Sequence, residues 1–322
     1  MALNHRLRWG LLGTARINRA VIPVIRESSR STLDAVASRT IDRAREYAAE
    51  WGIPRAMGSY ESLLEDPAID AVYISVPNSL HPEWTVRALD AGKHVLCEKP
   101  LALSVAEVDE IARAARRAGR VAAEAFMYRH HPLTHAVQKA VLDGAIGELR
   151  LIRGAFTFPL TRPADVRFDR ALGGGSLWDV GCYPVSYACL LAGDSPSKVV
   201  GWQETTDAGI DIAFAGMLRF SGGLVAQFDC GFRAVFRAEM EIVGTSGALR
   251  VDRAFRTGPD SRLLLTRGDQ IESVPFEAEA PYDGEIRDME SAALDGRAPR
   301  VTLAESRRTV ETLTRLYTAA AA

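Results

Sequence analysis

The chain is poor in the features that mark several classes of protein. It carries four cysteines in 322 residues, Cys97, Cys182, Cys189 and Cys230, spaced neither as metal ligands nor as a disulfide framework, so buried reduced thiols are expected. Neither sign of charge is in excess: 39 basic and 41 acidic residues leave a formal net charge of -2, which removes the electrostatic case for nucleic acid or an anionic membrane. No apolar run approaches a bilayer span, and Met1 to Trp9 mixes charged and polar residues without a signal-peptide core, so a cytoplasmic protein with no membrane partner is expected. Internal repeats and low-complexity linkers are absent as well. What is present, 47% hydrophobic and 25% charged residues, suits a globular chain of two domains whose partner is a small molecule.

Up to Phe126, short apolar stretches (7–12, 33–37, 70–76, 94–97 and 121–126) alternate with helical ones (41–51, 60–64, 81–92 and 104–117). Ser104 and Glu107 are spaced as a capping box at the head of the last helix. Such alternation predicts a parallel sheet with helices on both faces. Beyond Phe126 the rhythm changes. A helix at 134–143 is followed by strand-like runs at 149–158, 198–204, 210–220, 224–230, 238–243 and 249–252, with hairpin turns at Ser221-Gly222-Gly223 and Thr245-Ser246-Gly247. Helices at 283–294 and 303–317 close the chain. The expectation is an α/β chain with a dinucleotide-binding domain over 1–125 and an α+β domain with a mainly antiparallel sheet over 126–322.

The first strand runs into Gly13-Thr14-Ala15-Arg16-Ile17-Asn18 and then a helix. A glycine for the tight turn, a small residue for close approach of the backbone and a helix N-terminus aimed at a pyrophosphate make a dinucleotide fingerprint, although Ala15 and Asn18 replace two of its glycines. A purely structural turn would look the same. The second strand ends in Ser38-Arg39-Thr40, with no acid where an NAD site would hold the ribose diol. Ser38 and Arg39 can instead hold a 2′-phosphate, which favours NADP and leaves NAD possible; an ordinary loop arginine is the alternative.

The stretch Gly92-Lys93-His94-Val95-Leu96-Cys97-Glu98-Lys99-Pro100 places Glu98 and Lys99 at the carboxyl end of a strand, where open parallel sheets bind ligands. A partly desolvated lysine there can exchange a proton with a substrate hydroxyl, and Pro100 restricts its backbone. A solvated pair at a strand end is the plainer reading. Val76-Pro77-Asn78 should lie beside it, with His81 as a cap or packing residue rather than a proton carrier. In the second half, Gly173-Gly174-Gly175 precedes a helix on which Asp179 and Tyr183, four apart, share a face as a proton-handling pair; a cap and a packing residue would have the same spacing, and Pro184 interrupts the helix. His130, His131 and His135 lack a completing carboxylate and are split by Pro132, so packing and substrate hydrogen bonds explain them better than a metal.

Taken together, Gly13-Thr14-Ala15, Val76-Pro77-Asn78 with His81, the Gly92 to Pro100 stretch, Glu124-Ala125-Phe126-Met127-Tyr128-Arg129 and Asp179-Val180-Gly181-Cys182-Tyr183-Pro184 closely resemble the glucose-fructose oxidoreductase/inositol dehydrogenase family, nearly end to end. The resemblance implies a Rossmann domain, an open-faced second domain whose sheet often joins two copies into a homodimer, a nicotinamide cofactor, and Lys99 as the catalytic lysine. Tyr183 stands where many members carry a histidine, as in the branch of xylose dehydrogenases, dihydrodiol dehydrogenases and sugar ketoreductases, and would take over its proton transfer. Expected cofactor contacts are Gly13, Thr14, Ala15, Arg16, Ile17, Ser38, Arg39, Pro77, Asn78, His81, Glu98, Lys99 and Arg129. Expected substrate contacts are Lys99, Arg129, Arg167, Trp178, Asp179 and Tyr183.

The reaction expected is reversible hydride transfer between NADP and a carbinol carbon of a sugar-like substrate, with Lys99 and Tyr183 exchanging the hydroxyl proton and Asp179 orienting the sugar. An aldose or dihydrodiol dehydrogenase and a reductase of keto-sugars or dicarbonyls would use the same groups. The rival of another class is a cofactor-binding sugar or redox sensor without turnover.

Overall fold

The computed structural model describes residues 6–162 and 164–321. The chain forms two compact units, Met1–Phe126 with Tyr282–Ser306, and Met127–Pro281 with Arg307–Ala322.

In the first unit β1 (Leu7–Leu12), α1 (Asn18–Glu27), β2 (Ser31–Ala37), α2 (Ile41–Trp51), β3 (Arg55–Met57), α3 (Tyr60–Leu64), β4 (Ala71–Ile74), α4 (His81–Asp90), β5 (His94–Glu98), α5 (Val105–Ala118) and β6 (Ala122–Ala125) follow one another. The six strands pair in parallel in the order β3-β2-β1-β4-β5-β6. All of β4, and all of β1 except Arg8, is buried, as strands covered on both faces must be. Strand order reverses between β1 and β4, so the carboxyl ends of these strands open a crevice at that point. The Ser104–Glu107 capping box forms at the head of α5 as expected.

The second unit contains α6 (Pro132–Leu142), β7 (Leu149–Thr157), a π-helical turn at Leu177–Gly181 that runs into α7 (Cys182–Ala192), then β8 (Lys198–Thr205), β9 (Asp211–Arg219), β10 (Val225–Gly231), β11 (Arg237–Gly244), β12 (Ala248–Asp252), β13 (Arg262–Arg267) and β14 (Gln270–Ser273). These strands make one sheet in the order β14-β13-β12-β11-β7-β10-β9-β8, antiparallel at every junction except β7 with β10. One face buries Ile152, Phe156, Phe228, Cys230, Met240, Ile242, Leu249 and Val251. The other carries the exposed side chains of Val200, Trp202 and Met217 beside the ion pairs Arg153–Glu241 and Arg237–Asp229. The turn at Leu177–Gly181 answers the presence of Pro184: a proline cannot donate the amide that an α-helix would use there, and a wider turn absorbs the mismatch.

Three strands escaped the sequence reading. β3 has only three residues, too few for a period, and every residue of β14 is exposed, so neither offers an apolar–polar contrast to read. β13 lies in a leucine run that mixes buried and half-exposed positions.

Residues 282–306, which the sequence reading assigns to the second domain, pack instead with the first unit. Here α8 (Asp283–Asp295) sets Ile286 and Met289 into the core beside Trp9, Val21, Ile25 and Leu96. Its buried Glu290 accepts from the Ser28 and Ser31 hydroxyls at 2.5 and 2.6 Å. An apolar stripe at i, i+3 specifies a helix but not which core it will cover, so the misassignment is intrinsic to periodicity. The last helix, α9 (Leu303–Ala320), enters the second unit from Arg307 onward.

Candidate active site

In the first unit, the turn after β1 puts Gly13 at φ +112°, and a Cβ there would lie 3.3 Å from Ser75 Oγ and 3.4 Å from the Ser75 carbonyl. Only glycine lets the backbone run so close to the end of β4. Asn18, at the head of α1, donates from its side chain to the Gly13 carbonyl at 2.9 Å and braces the turn. Ser75 Oγ is buried and has no hydrogen-bond partner among the described residues. A tight bare-backbone turn, an unsatisfied hydroxyl and a helix N-terminus together suit a phosphate group. Thr14, Ala15 and Ile17 are half-buried along this turn and Arg16 is exposed.

At the end of β2, Ser38 is buried and its amide donates to the Met57 carbonyl at 3.1 Å, while Arg39 is exposed. The positive charge of Arg39 reaches the Tyr60 phenol and partly offsets the upward pKa shift that burial gives it. No carboxylate occupies this strand end, so the local chemistry suits a 2′-phosphate better than a free diol.

Lys99 follows β5 directly and is half-buried; its peptide bond to Pro100 is cis. The loop around it is held by buried side chains acting on main-chain atoms. Glu124, 1% exposed, accepts the Leu101 amide at 2.9 Å. His81 lies with one ring nitrogen 2.7 Å from the Pro100 carbonyl and the other 2.8 Å from the Val76 carbonyl. It therefore sits between the Lys99–Pro100 loop and the Val76–Pro77–Asn78 loop, and as a neutral ring it donates to one of the two carbonyls. Burial pushes its pKa down to about 4, outweighing the pull of the two carbonyls. His81 was expected among the cofactor contacts, but it is 1% exposed and both ring nitrogens face backbone oxygens, so it supports the loops from behind. Glu98 accepts a short hydrogen bond from the Tyr73 hydroxyl and the Lys99 amide at 3.3 Å. Near Glu98 and Tyr73 lies Glu285 of α8, buried, with no partner among the described residues for either carboxyl oxygen; burial first and the Glu98 charge second hold its pKa well above the usual range.

In the second unit, Tyr183 is half-exposed at the head of α7. Its ring packs among Phe156, Phe255 and Tyr128 at centroid distances of 5.1, 5.4 and 5.8 Å. Such a socket fixes the ring plane and leaves the phenol as the polar tip. Asp179 sits in the π turn, 8% exposed, and accepts from Arg167 Nε at 2.5 Å. Arg167 also bonds Asp165 at 3.1 Å, and the Asp179 carboxylate holds its pKa above the ordinary value. Asp179 and Arg167, expected separately as substrate contacts, are thus one ion pair.

Two other expected contacts are buried: Trp178 is 8% exposed with its ring 5.5 Å from Tyr317, and Arg129 is 5% exposed, its charge partly offsetting the upward pKa shift that burial gives the Tyr128 and Tyr187 phenols. His131 caps α6, accepting the Leu133 amide at 3.1 Å, and has its other ring nitrogen 3.1 Å from the Glu279 carbonyl. The four cysteines are buried as free thiols, and burial pushes the Cys189 thiol up to about 12. Residues missed from sequence are Tyr73 and Asp211, whose partners come from other elements, and Glu285, whose burial comes from the fold; Glu124 was quoted only as part of a motif.

Residues 7–126 match the oxidoreductase family with an NAD-binding Rossmann fold, and residues 134–250 match the GFO/IDH/MocA C-terminal domain. The chain is 37% identical over 318 residues to the D-xylose 1-dehydrogenase (NADP(+)) 2 of Haloferax volcanii, covering 98% of this chain and 97% of that one. It is 39% identical over 263 residues to the dTDP-3,4-didehydro-2,6-dideoxy-alpha-D-glucose 3-reductase of Streptomyces violaceoruber, covering 80% and 76%. Its fold is similar to the crystal structure of a 3-ketoreductase from Actinomadura kijaniata with NADP and TDP-benzene, with a TM-score of 0.92, 31% identity and 98% of each chain covered.

Proposed function

Because the chain belongs to the GFO/IDH/MocA oxidoreductases, with their NAD-binding Rossmann fold, we propose that it transfers a hydride between NADP(H) and a CH–OH or C=O group of a sugar or sugar-like substrate. The observation that carries this reading is Lys99, half-buried at the carboxyl end of a central strand in a loop tied down on both sides by His81 and Glu124. A group that must be aimed needs such support.

The turn at Gly13, Thr14, Ala15, Arg16 and Ile17 would hold the pyrophosphate, with Ser75 Oγ as an added donor, and Ser38 and Arg39 would hold the 2′-phosphate. Pro77, Asn78 and Glu98 would line the remainder of the cofactor site. Bound NADP(H) supplies the hydride acceptor or donor. Lys99 and Tyr183 exchange the hydroxyl proton, and the Asp179–Arg167 pair orients the sugar hydroxyls. Orientation of this kind contributes several kcal/mol and proton transfer about 10²–10⁴-fold, so loss of either is measurable.

The same groups run both directions, and the likeness to a sugar-nucleotide reductase favours keto-sugar reduction as the second reading. An absorbance assay at the reduced-nicotinamide band decides: NADP and NAD are tested against aldoses and polyols, NADPH against keto-sugars and dicarbonyls. Turnover with NADP well above NAD is expected. Cofactor binding with silence on every substrate would leave a sensor and sink the enzyme.

A homodimer formed through the open sheet face is part of the same reading. The exposed Val200, Trp202 and Met217 form an apolar strip beside paired charges, a surface that a second copy would cover. Trp202→Glu should halve the solution mass; a wild-type monomer would remove the dimer. A cytoplasmic location fits an enzyme that draws on the cell's NADP(H). Among the described residues no helix is long and apolar enough to cross a membrane.

A further inference from the structure

The π turn that carries Trp178 and Asp179 and leads to Tyr183 begins on a carboxylate that belongs to a different element. Asp211, at the start of β9 and 3% exposed, accepts from Ser176 Oγ at 2.8 Å, from the Leu177 amide at 2.7 Å and from the Tyr317 hydroxyl at 2.7 Å. Three donors converge on one buried anion at the N-terminal end of a helical segment, where amides lack partners and negative charge is favoured.

The chain on either side is shaped to this contact. Gly175 stands at φ +124°, and a Cβ there would lie 2.2 Å from Asp211 Oδ1 and 2.8 Å from the Tyr317 hydroxyl. The Asp179 amide turns back to the Gly175 carbonyl at 3.0 Å, so the glycine, the turn and the carboxylate are one unit. Trp178 leans on the same Tyr317 whose hydroxyl reaches Asp211. Asp211 is thus the point from which the direction of the turn is set, and a π turn, with its wider and less common pitch, needs such a fixed start.

We propose that Asp211 is a positioning residue: it anchors the turn that aims Asp179 and Tyr183, and does not itself touch substrate. The catalytic part rests on the reading of Tyr183 and Asp179 given above; the anchoring part does not.

The test is Asp211→Asn in the full-length protein. The amide keeps the shape, one oxygen can still accept from Ser176 or Leu177, and the Tyr317 hydroxyl can rotate to accept from the new NH₂, so the fold is retained while the charge is lost. A displacement of about 1 Å at a reacting group can cost about 10²-fold, so a 10- to 100-fold fall in kcat is expected, with NADP dissociation unchanged. Because hydride transfer becomes slower relative to release, the primary deuterium isotope effect on kcat should rise, which mere loss of folded protein would not produce. Tyr317→Phe removes one of the three donors and should move the same readouts in the same direction by a smaller factor; it stands in if the asparagine variant does not fold. Wild-type kcat and isotope effect in a folded variant would overturn the catalytic part. Should the wild-type protein turn over no substrate, the near-UV circular dichroism of Trp178, assigned by difference from Trp178→Phe, reads the turn directly. A changed Trp178 signal in Asp211→Asn supports the anchor and an unchanged one overturns it.

Discussion

Lys99 and Tyr183 are secured by different means. Around Lys99 restraints act on the main chain: His81 lies between two carbonyls and Glu124 takes an amide. Around Tyr183 they act on the side chain as well: three rings hold the phenol's own ring, and Asp211 pins the turn before it through the Leu177 amide. A lysine has four rotatable bonds, so placing its root narrows where its ammonium can reach, whereas a tyrosine has two and is aimed by packing its ring. Two buried acids also differ: Asp211 receives three donors, while neither carboxyl oxygen of Glu285 has a partner among the described residues, and burial holds its pKa well above the usual range.

The sharpest test of this contrast compares Lys99→Met with Tyr183→Phe. Each should lower turnover by at least about 10²-fold if both handle the proton. A loss confined to one of them would assign the chemistry to that residue alone and break the pairing.

Next in size is His81→Leu, which removes the donor between the two loops and should cost about 1–3 kcal/mol of stability. Turnover should fall with it, because Lys99 loses the fixed root of its side chain. A pH dependence accompanies this. The unfolded histidine protonates near 6.5 and the folded one near 4, so the unfolded state gains a proton first, and wild-type stability declines as pH falls through that window. Denaturation profiles of His81→Leu should lack that part of the decline; identical profiles would remove His81 from the acid response.

Arg39→Ala should weaken NADP binding by about 10-fold, the loss of one charge-assisted contact, and leave NAD binding nearly unchanged. Equal effects on both cofactors would make Arg39 an adenine-stacking residue instead of a phosphate ligand.

The smallest effect concerns Glu285. A carboxyl whose folded pKa is raised costs stability as pH climbs above its unfolded value, because the unfolded chain releases the proton that the folded chain keeps. Glu285→Gln should therefore melt higher than wild type at pH 8, with the gap closing toward pH 4.5. A constant gap would mean that shape rather than ionisation sets the difference.

The contrast also explains what the amino-acid sequence made legible. Gly92 to Pro100 and Asp179 to Pro184 are contiguous, so their residue types and spacing could be read directly, as could the parallel first sheet from its alternating helices. The expected position of Ser38 and Arg39 at the end of β2 holds. Asp211 and Tyr73 could not be read in this way, because a carboxylate in a strand acquires meaning only from the donors that folding brings to it, and a phenol in a buried run from the acceptor it meets. His81 was visible, but its surroundings were not: a polar side chain in a motif can face backbone oxygens on both sides, as its two ring nitrogens do. The π turn was foreshadowed only by Pro184, which announces an interruption without its form.

The return of α8 to the first unit bears on how the chain is made. The strands and helices up to Phe126 emerge from the ribosome well before Ile286, Met289 and Glu290, which cover part of their core and satisfy Ser28 and Ser31 but are made only after residues 127–281 of the second unit. At about 5–20 residues per second, the early unit waits on the order of ten to thirty seconds with that flank uncovered. During that interval it is an unfinished body, a client for chaperones. A fragment ending near Phe126 would remain in that condition permanently, because a segment made much later in the chain completes the core begun first.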